Sequence, residues 1–137
     1  MWISFAFASA LFAGLTTILA KCGVRRTDAT VATAIRTIVV LASSWAMVFL
    51  TGAQSGLRDI GGSTLLFLVL SGLATGASWL CYYYALQQGE ASKVVPIDKL
   101  SVVISLALAF VVLHEKAEVK TIAGGVLIAI GTLVMVL

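Results

Sequence analysis

Five apolar runs, each long enough to cross a bilayer, constrain this sequence more than any other feature. They extend from about Trp2 to Ala20, Ala29 to Leu50, Thr64 to Leu86, Val94 to Leu113 and Thr121 to Leu137. A helix rising 1.5 Å per residue needs about 20 apolar residues to cross a hydrocarbon core of roughly 30 Å. The runs lack the alternating pattern of barrel strands. The sequence therefore predicts an all-α, polytopic membrane protein, with a bundle of five transmembrane helices forming one domain over residues 1–137.

The composition agrees with lipid as the main solvent. Hydrophobic residues make up 61% of the chain and charged residues 11%, whereas a soluble domain is roughly 25% charged. Seven of the nine Lys and Arg residues stand singly or in short groups between the apolar runs. This placement is typical of anchors beside the headgroups. We therefore expect the bilayer as a partner and no nucleic acid.

The connections between the runs are too short to hold a folded domain, so function must reside within the bilayer. They cover residues 21–28, 51–63, 87–93 and 114–120. Their basic residues divide four to three between the two membrane faces: Lys21, Arg25, Arg26 and Lys93 on one, Arg58, Lys116 and Lys120 on the other. This weak bias permits insertion in either orientation. No basic segment precedes the first run, so we expect it to stay in the protein rather than act as a signal peptide.

Catalytic and metal-binding motifs do not occur in the sequence. It has no GxSxG, HExxH or P-loop motif and no carboxylate pair spaced for acid–base chemistry. Cys22 and Cys81 lie far apart, and His114 is the single histidine. We therefore expect no enzymatic activity, no metal and no cofactor.

Arg36 is the charged residue placed deepest in a span. A charge near the middle of a transmembrane helix costs about 2.5 to 3.5 kcal/mol on insertion scales, so one that is present is usually functional or paired. Thr33, one turn earlier, lies close to the same face. Arg36 either attracts an anionic group of a solute or forms a structural pair with an acid or a helix-end carbonyl.

The fourth span carries a polar stripe after Pro96. Asp98, Lys99 and Ser101 follow the proline, and residues 98 and 101 share a helix face. Pro96 has no amide hydrogen, so it either begins the regular helix or frees a carbonyl. Asp98 and Lys99 either bind or gate a solute, or are interfacial residues that extend to the headgroups.

The third span offers hydroxyl groups and aromatic rings. Ser71, Thr75 and Tyr82 fall on one helical face and are candidates for hydrogen bonds to a solute. An aromatic group follows, consisting of Trp79, Tyr82, Tyr83 and Tyr84. It forms either a pocket wall or an interfacial belt, and for Tyr83 and Tyr84 we favour the belt.

Small residues at regular spacing predict close helix packing. Gly72 and Gly76 form a small-xxx-small pair in the third span, and Gly124 and Gly131 share a face of the fifth. The fifth span has no ionisable residue after Lys120. We therefore expect it to make scaffold or dimer contacts.

Taken together, these residues identify a family resemblance that covers essentially the whole chain. The stretch Ala85 to Val103, which reads ALQQGEASKVVPIDKLSVV, is followed by Leu113-His114-Glu115 and by the glycine-rich pattern from Ile122 to Gly131. With the Gly14 to Val24 segment and Arg36, it resembles the EamA domain of the drug/metabolite transporter superfamily. Members commonly have ten helices built from two five-helix units, whereas this chain holds one unit.

The resemblance implies a transporter that works as a dimer. An odd number of spans makes successive units point in opposite directions, so a site forms at the midplane between inverted halves. By analogy this chain would form a homodimer, most simply antiparallel, as in the related small multidrug resistance proteins. Their coupling glutamate has no counterpart here, because the run from Trp2 to Ala20 contains no acid.

The resulting hypothesis is transport of small metabolites or drugs by alternating access in a bacterial-type inner membrane. The solute would contact Arg36, Ser71, Thr75, Tyr82, Asp98, Lys99 and Ser101. Two alternatives remain. One is a lipid-linked sugar flippase subunit, as in other short members of the superfamily, and the other is a non-transporting module that assembles with a larger membrane complex.

Overall fold

The computed structural model describes residues 2–137, which form helices joined by short connections. The α-helices are α1 (Trp2–Val24), α2 (Ala29–Thr51), α3 (Gly62–Gln88), α4 (Ala91–Asp98), α5 (Leu100–Val112) and α6 (Val119–Val136), and a 3-10 helix spans Ala53–Asp59. With α4 and α5 counted as one span, five segments are long and apolar enough to cross a membrane. Their mean hydropathy lies between 1.7 and 2.1. The predicted all-α fold with five spans is confirmed.

The two ends of α2 have clear local causes. Asp28 precedes the helix, and its carboxylate accepts a hydrogen bond of 2.8 Å from the Thr30 N–H. This satisfies one of the donors that a helix start leaves without a partner. At the other end Gly52 has φ +71°, and its N–H donates to the carbonyls of Phe49 and Val48. Glycine adopts this left-handed conformation without a Cβ penalty, so α2 stops there.

The fourth span is divided, where the sequence predicted one helix from Val94 to Leu113. It begins earlier, at Ala91, and is interrupted at Lys99. Pro96 lies inside α4 rather than at its start, so the first of the two alternatives for this proline is wrong. The Lys99 N–H is shared between the carbonyl oxygens of Val95 and Pro96, each 3.1 Å away. Such a shared bond mixes α and 3-10 geometry and interrupts the regular helix.

Residues 19–87 form one compact unit. Its core lies where the end of α1, the start of α2 and the end of α3 meet. The buried residues there are Ala20, Val24, Ala29, Thr33, Tyr83 and Leu86. Two polar side chains join the same ends: Lys21 Nζ donates to the Leu86 carbonyl, and the Gln87 amide donates to the carbonyls of Val24 and Thr27.

Residues 2–18 and 88–137 form the second unit, in which α4 and α5 pack against α6. A Cβ placed on Gly125 would lie 3.4 Å from Leu106 Cδ1, at ordinary van der Waals distance, so α5 packs directly over this buried glycine. Further along α6, the buried Thr132 donates from Oγ1 to the Pro96 carbonyl at 3.2 Å. These two contacts connect α6 to both halves of the divided span.

The glycines predicted to mediate packing make no such contact with described residues. A Cβ placed on Gly72, Gly76, Gly124 or Gly131 would have no atom of another described element within 4 Å. A role for these positions in contacts with a second molecule stays a prediction. Gly125, adjacent to Gly124 in the same small-residue pattern, was not among the glycines selected for packing, although it is buried in α6.

Large apolar side chains remain exposed along the spans. Phe5 is 75% exposed, Phe67 71% and Leu127 68%. In water such surfaces would associate, whereas lipid tails are a suitable environment for them. The exposed surface therefore agrees with the predicted bilayer partner.

Candidate functional site

The residues with the clearest functional geometry lie where α2 and α3 face each other in the unit of residues 19–87. Arg36 of α2 is half-buried, and its guanidinium carbon lies 3.4 Å from the ring centroid of Trp79 on α3. A guanidinium over an indole face within about 6 Å is a cation–π interaction. A predicted site residue is thus paired with an aromatic ring.

The short distance fixes the orientation of the two groups. The three guanidinium nitrogens lie roughly 1.3 Å from the central carbon, as in other C–N bonds with partial double-bond character. If the guanidinium stood upright on the ring, a nitrogen would lie only about 2 Å from it, far inside van der Waals contact. At 3.4 Å the guanidinium therefore lies across the ring face rather than upright on it, with its N–H groups directed mainly sideways.

Two tyrosines hold the Trp79 ring in place by edge contacts. The ring centroids of Tyr82 and Tyr83 each lie 5.6 Å from that of Trp79, with interplanar angles of 86° and 90°. Both fall within the range of favourable edge-to-face pairs. We call Arg36, Trp79, Tyr82 and Tyr83 the arginine–aromatic cluster.

Tyr83 and Tyr84, which the sequence assigned to an interfacial belt, differ in their exposure. Tyr83 is only 3% exposed, whereas Tyr84 is 60% exposed. The belt interpretation is wrong for Tyr83, because its ring packs into the cluster instead of facing lipid. Tyr84 has the exposure that a belt residue requires.

The cluster and the polar contacts at the helix ends share one face of α3. Residues 82 and 83 lie three and four positions after 79, and residues 86 and 87 lie three and four positions after 83, so all five fall along one side of the helix. The Gln87 amide lies 3.2 Å from the Val24 carbonyl oxygen and 2.5 Å from that of Thr27. This contact, which we call the Gln87 latch, fixes the end of α3 one turn beyond Tyr83.

Arg36 has no acidic partner among residues 2–137 as described. The ion pairs there join Lys93 to Glu90 at 4.0 Å and Lys99 to Asp98 at 3.5 Å. A structural pair between Arg36 and an acid is one of the two sequence-based interpretations, but no described carboxylate lies within ion-pair distance of it. Its positive charge is therefore not neutralised by an anion of the described chain.

Ser71 and Thr75 lie earlier on α3 and are exposed. They precede Trp79 by eight and four residues, which places them along the same helical stripe. The Thr75 hydroxyl donates to the Ser71 carbonyl at 2.8 Å. A solute on this stripe would meet a hydroxyl oxygen of Thr75 that can still accept a hydrogen bond.

The other predicted site residues belong to the second unit. Asp98 and Lys99 are adjacent and form an ion pair of 3.5 Å at the junction of α4 and α5. The side chain of Asp98 is 36% exposed and that of Lys99 53%. Ser101 is exposed at the start of α5. Both charged groups are therefore accessible where the span is interrupted.

A groove of different character lies between α5 and α6. It has a volume of about 450 Å³ and is lined by residues such as Leu106, Phe110, Val126, Ile130 and Leu133. Thr121 is the one polar side chain among the described residues that line it. An apolar groove of this kind suits a hydrocarbon chain or a helix rather than a polar solute.

Sequence reasoning found Arg36 and Tyr82 but did not select Trp79 or Gln87 as site residues. Trp79 was recognised only as part of an aromatic group. The spacing of three and four residues from Trp79 to Tyr82 and Tyr83 was the available signal. Nothing in the sequence indicated that Gln87, rather than Gln88, reaches the end of α1.

Comparison with known proteins gives a consistent result. A model of the EamA-like transporter family matches residues 1–137. An uncharacterized transporter from the cobO 3′ region of a Sinorhizobium species is 45% identical over 134 residues, covering 98% of this chain and 95% of the relative. An uncharacterized protein of Methanocaldococcus jannaschii is 34% identical over 71 residues, which is 52% of each chain. No solved structure matches the chain.

Proposed function

This chain belongs to the EamA-like transporter family, and on that premise we propose that it carries a small solute across the membrane by alternating access. The coarser assignment, a multi-pass membrane transporter of the drug/metabolite type, follows from the family and from the five apolar spans. The inner membrane of a bacterial cell is its proposed location.

The observation that supports solute binding most strongly is the arginine–aromatic cluster. A cation within a spanning segment is expensive to keep unless it has a use. Here the guanidinium rests on Trp79 at 3.4 Å and has no described carboxylate within 4 Å. Ser71, Thr75 and Tyr82 are the proposed hydrogen-bonding partners on α3. Asp98, Lys99 and Ser101 are the proposed contribution of the divided span.

We also propose that two copies form the working transporter. A five-span unit has an odd number of crossings, so an inverted second copy would supply the other half of a pathway. The nearly balanced basic residues of the connections permit both orientations. Gly124 and Gly131, which have no close neighbour in the described chain, are the proposed positions for contacts between copies.

Solute flux into proteoliposomes tests the residue assignment. Uptake of a metabolite mixture, read by mass spectrometry, should fall when Arg36→Ala or Asp98→Ala replaces the parent protein. Arg58→Ala serves as a control, because Arg58 is an exposed arginine of the 3-10 helix. If flux is unchanged in both Arg36→Ala and Asp98→Ala, the assignment of these site residues is refuted. If the parent protein shows no flux at all, the result favours a non-transporting module of a larger membrane complex.

Insertion topology tests the antiparallel dimer. Cys22 and Cys81 are both exposed and free, so they are first replaced by serine. Arg26→Cys and Arg58→Cys are then labelled separately with an impermeant reagent in intact cells. Partial labelling at both positions indicates dual topology. Labelling at one position alone fixes a single orientation and excludes an antiparallel arrangement.

The groove between α5 and α6 favours a second candidate, movement of a lipid-linked sugar. Its volume of about 450 Å³ and its apolar lining could hold part of a polyprenyl chain while the sugar crosses elsewhere. Leu106→Trp would fill the groove beside Gly125. If this variant abolishes flipping of a polyprenyl-linked sugar in vesicles but leaves solute uptake intact, the second candidate applies.

A further inference from the structure

We infer that the arginine–aromatic cluster selects solutes that carry an oxyanion, with organic carboxylates as the principal class. The inference deepens the proposed transport function and rests on it. It depends on three features of the cluster: the orientation of the guanidinium, the charge around it and the rigidity of the ring beneath it.

The orientation of the guanidinium leaves its hydrogen-bond donors directed away from the Trp79 ring. Arg36 has five N–H groups, all in the guanidinium plane, and contact with Trp79 at 3.4 Å uses only one face of that plane. No described acceptor forms a hydrogen bond with Arg36. Two parallel N–H groups match the two oxygens of a carboxylate or phosphate. The edge of the guanidinium is therefore complementary to an oxyanion.

The charge around the cluster favours an anion over a cation. Arg36 is half-buried in a spanning helix, and no carboxylate of the described residues lies within ion-pair distance. A charge in a medium of low dielectric constant interacts more strongly with an opposite charge than it would in water. A cationic solute would also compete with Arg36 for the face of Trp79. The site thus has an attractive element for anions and a repulsive one for cations.

The ring that supports Arg36 is fixed before any solute arrives. Tyr82 and Tyr83 contact the Trp79 ring edge to face at 5.6 Å, and Tyr83 is 3% exposed. An arginine held in this way loses less freedom on binding than a mobile one, which improves affinity. The aromatic rings also give apolar contact for the organic part of the solute, which distinguishes a carboxylate from inorganic phosphate.

The chain permits a direct optical test at Trp79. The other tryptophans are Trp2, which is 78% exposed, and Trp45, which contacts Phe49 at a centroid distance of 5.9 Å. Trp2→Phe and Trp45→Phe therefore leave Trp79 as the single reporter in the intact protein. The purified protein in neutral detergent is titrated with sodium benzoate, sodium phosphate and tetraphenylphosphonium chloride.

Benzoate should change the Trp79 emission saturably, and phosphate should do so more weakly. Arg36→Gln should reduce the benzoate affinity by at least about tenfold, since a hydrogen bond to a charged group contributes enough for a factor of that order. Arg58→Gln removes an exposed arginine and should leave the affinity unchanged. Tetraphenylphosphonium binding that does not require Arg36, together with no saturable benzoate response, would overturn the inference.

Arg36→Lys keeps the inference testable if Arg36→Gln does not fold. Lysine keeps the charge but lacks the planar fork, so benzoate affinity should still fall. An unchanged affinity in Arg36→Lys would overturn the argument from flat stacking. Size-exclusion chromatography establishes that each variant is folded before titration.

A lipid headgroup is the other source of an oxyanion. Trp79 emission is therefore compared in vesicles of phosphatidylcholine alone and of phosphatidylcholine with phosphatidylglycerol. If phosphatidylglycerol alone produces an Arg36-dependent change and blocks benzoate, the oxyanion is a lipid phosphate and the inference of a solute fails. If benzoate binds equally in both vesicles, the inference of a solute stands.

The inference and the transport function can fail separately. Benzoate binding without flux of any solute would refute only the transport function. Flux that is unaffected by Arg36→Gln would refute only this inference.

Discussion

Replacing Gln87 with alanine should destabilise the protein more than the same replacement at its neighbour Gln88. The Gln87 amide donates to the carbonyls of Val24 at 3.2 Å and Thr27 at 2.5 Å. These carbonyls lie at and just beyond the end of α1, where helix carbonyls have no partner within the helix. Gln88 is also exposed and makes no side-chain hydrogen bond within the described chain, so it is the matched control.

The magnitude follows from the number and setting of the two bonds. A typical intramolecular hydrogen bond contributes about 0.5 to 1.5 kcal/mol net. The Gln87 side chain is accessible to water, so water can partly replace the amide, and the lower half of that range applies. Two bonds then give about 1 to 2 kcal/mol for Gln87→Ala. A surface change such as Gln88→Ala should remain within about 0.5 kcal/mol.

Gln87→Glu makes the test sharper. The glutamate has nearly the same shape, but its ionised carboxylate accepts hydrogen bonds only, and it would face two carbonyl oxygens. It should therefore destabilise at least as much as alanine. The free energy of unfolding is measured by sodium dodecyl sulfate titration from neutral detergent micelles, with Trp fluorescence as the signal. Equal stability of Gln87→Ala and Gln88→Ala would refute the latch.

Three further predictions concern local structure. Gly52→Ala should lower the free energy of unfolding by about 1 kcal/mol, because alanine is strained at φ +71°, whereas Gly56→Ala, measured in the same titration, should have little effect. Thr132→Val removes the 3.2 Å bond to the Pro96 carbonyl and should cost about 1 kcal/mol; an unchanged unfolding curve would contradict this. Hydrogen bonding from the Thr30 N–H lowers the pKa of Asp28 below its usual value of 3.8. The Asp28 carboxylate therefore stabilises the folded protein fully above pH 3.8, and this stabilisation is lost as the pH falls through the lower pKa of the folded state. Asp28→Asn should lack this part of the acid dependence in unfolding curves, and an identical acid profile would refute the cap.

The number and type of helices could be predicted because lipid leaves the backbone few choices. A span without water must satisfy its own N–H and C=O groups, so apolar length alone indicates a helix. The interruption at Lys99 was not predicted, since it depends on where the Lys99 N–H finds its acceptors. Pro96 indicated where the span could be irregular. Only the structure shows that the Pro96 carbonyl has a partner outside the span, the Thr132 hydroxyl.

The candidate site could be predicted only in part, for a related physical reason. An arginine in an apolar run is visible in any sequence because its transfer cost is high. The aromatic partner of this arginine is harder to identify from the sequence, since a tryptophan such as Trp79 is as typical of a lipid-facing belt as of a buried cluster. Tyr83 and Tyr84 are adjacent and chemically identical, and helical geometry alone directs one inward and the other outward. Which of the two faces inward depends on the rotation of α3 about its axis, which Leu86 and Gln87 help to fix.

The shared face of α3 connects the latch to the cluster mechanically. Trp79, Tyr83 and Gln87 are each four residues apart, so a rotation of α3 that breaks the Gln87 bonds also moves Trp79 relative to Arg36. Breaking the latch should therefore disturb a 3.4 Å stack that tolerates little displacement. In the protein with Trp79 as the single tryptophan, Gln87→Ala should shift the emission spectrum and weaken benzoate binding, whereas Gln88→Ala should do neither. A Gln87→Ala protein that is less stable but has unchanged Trp79 emission and benzoate affinity would show that the latch stabilises the fold without controlling the cluster.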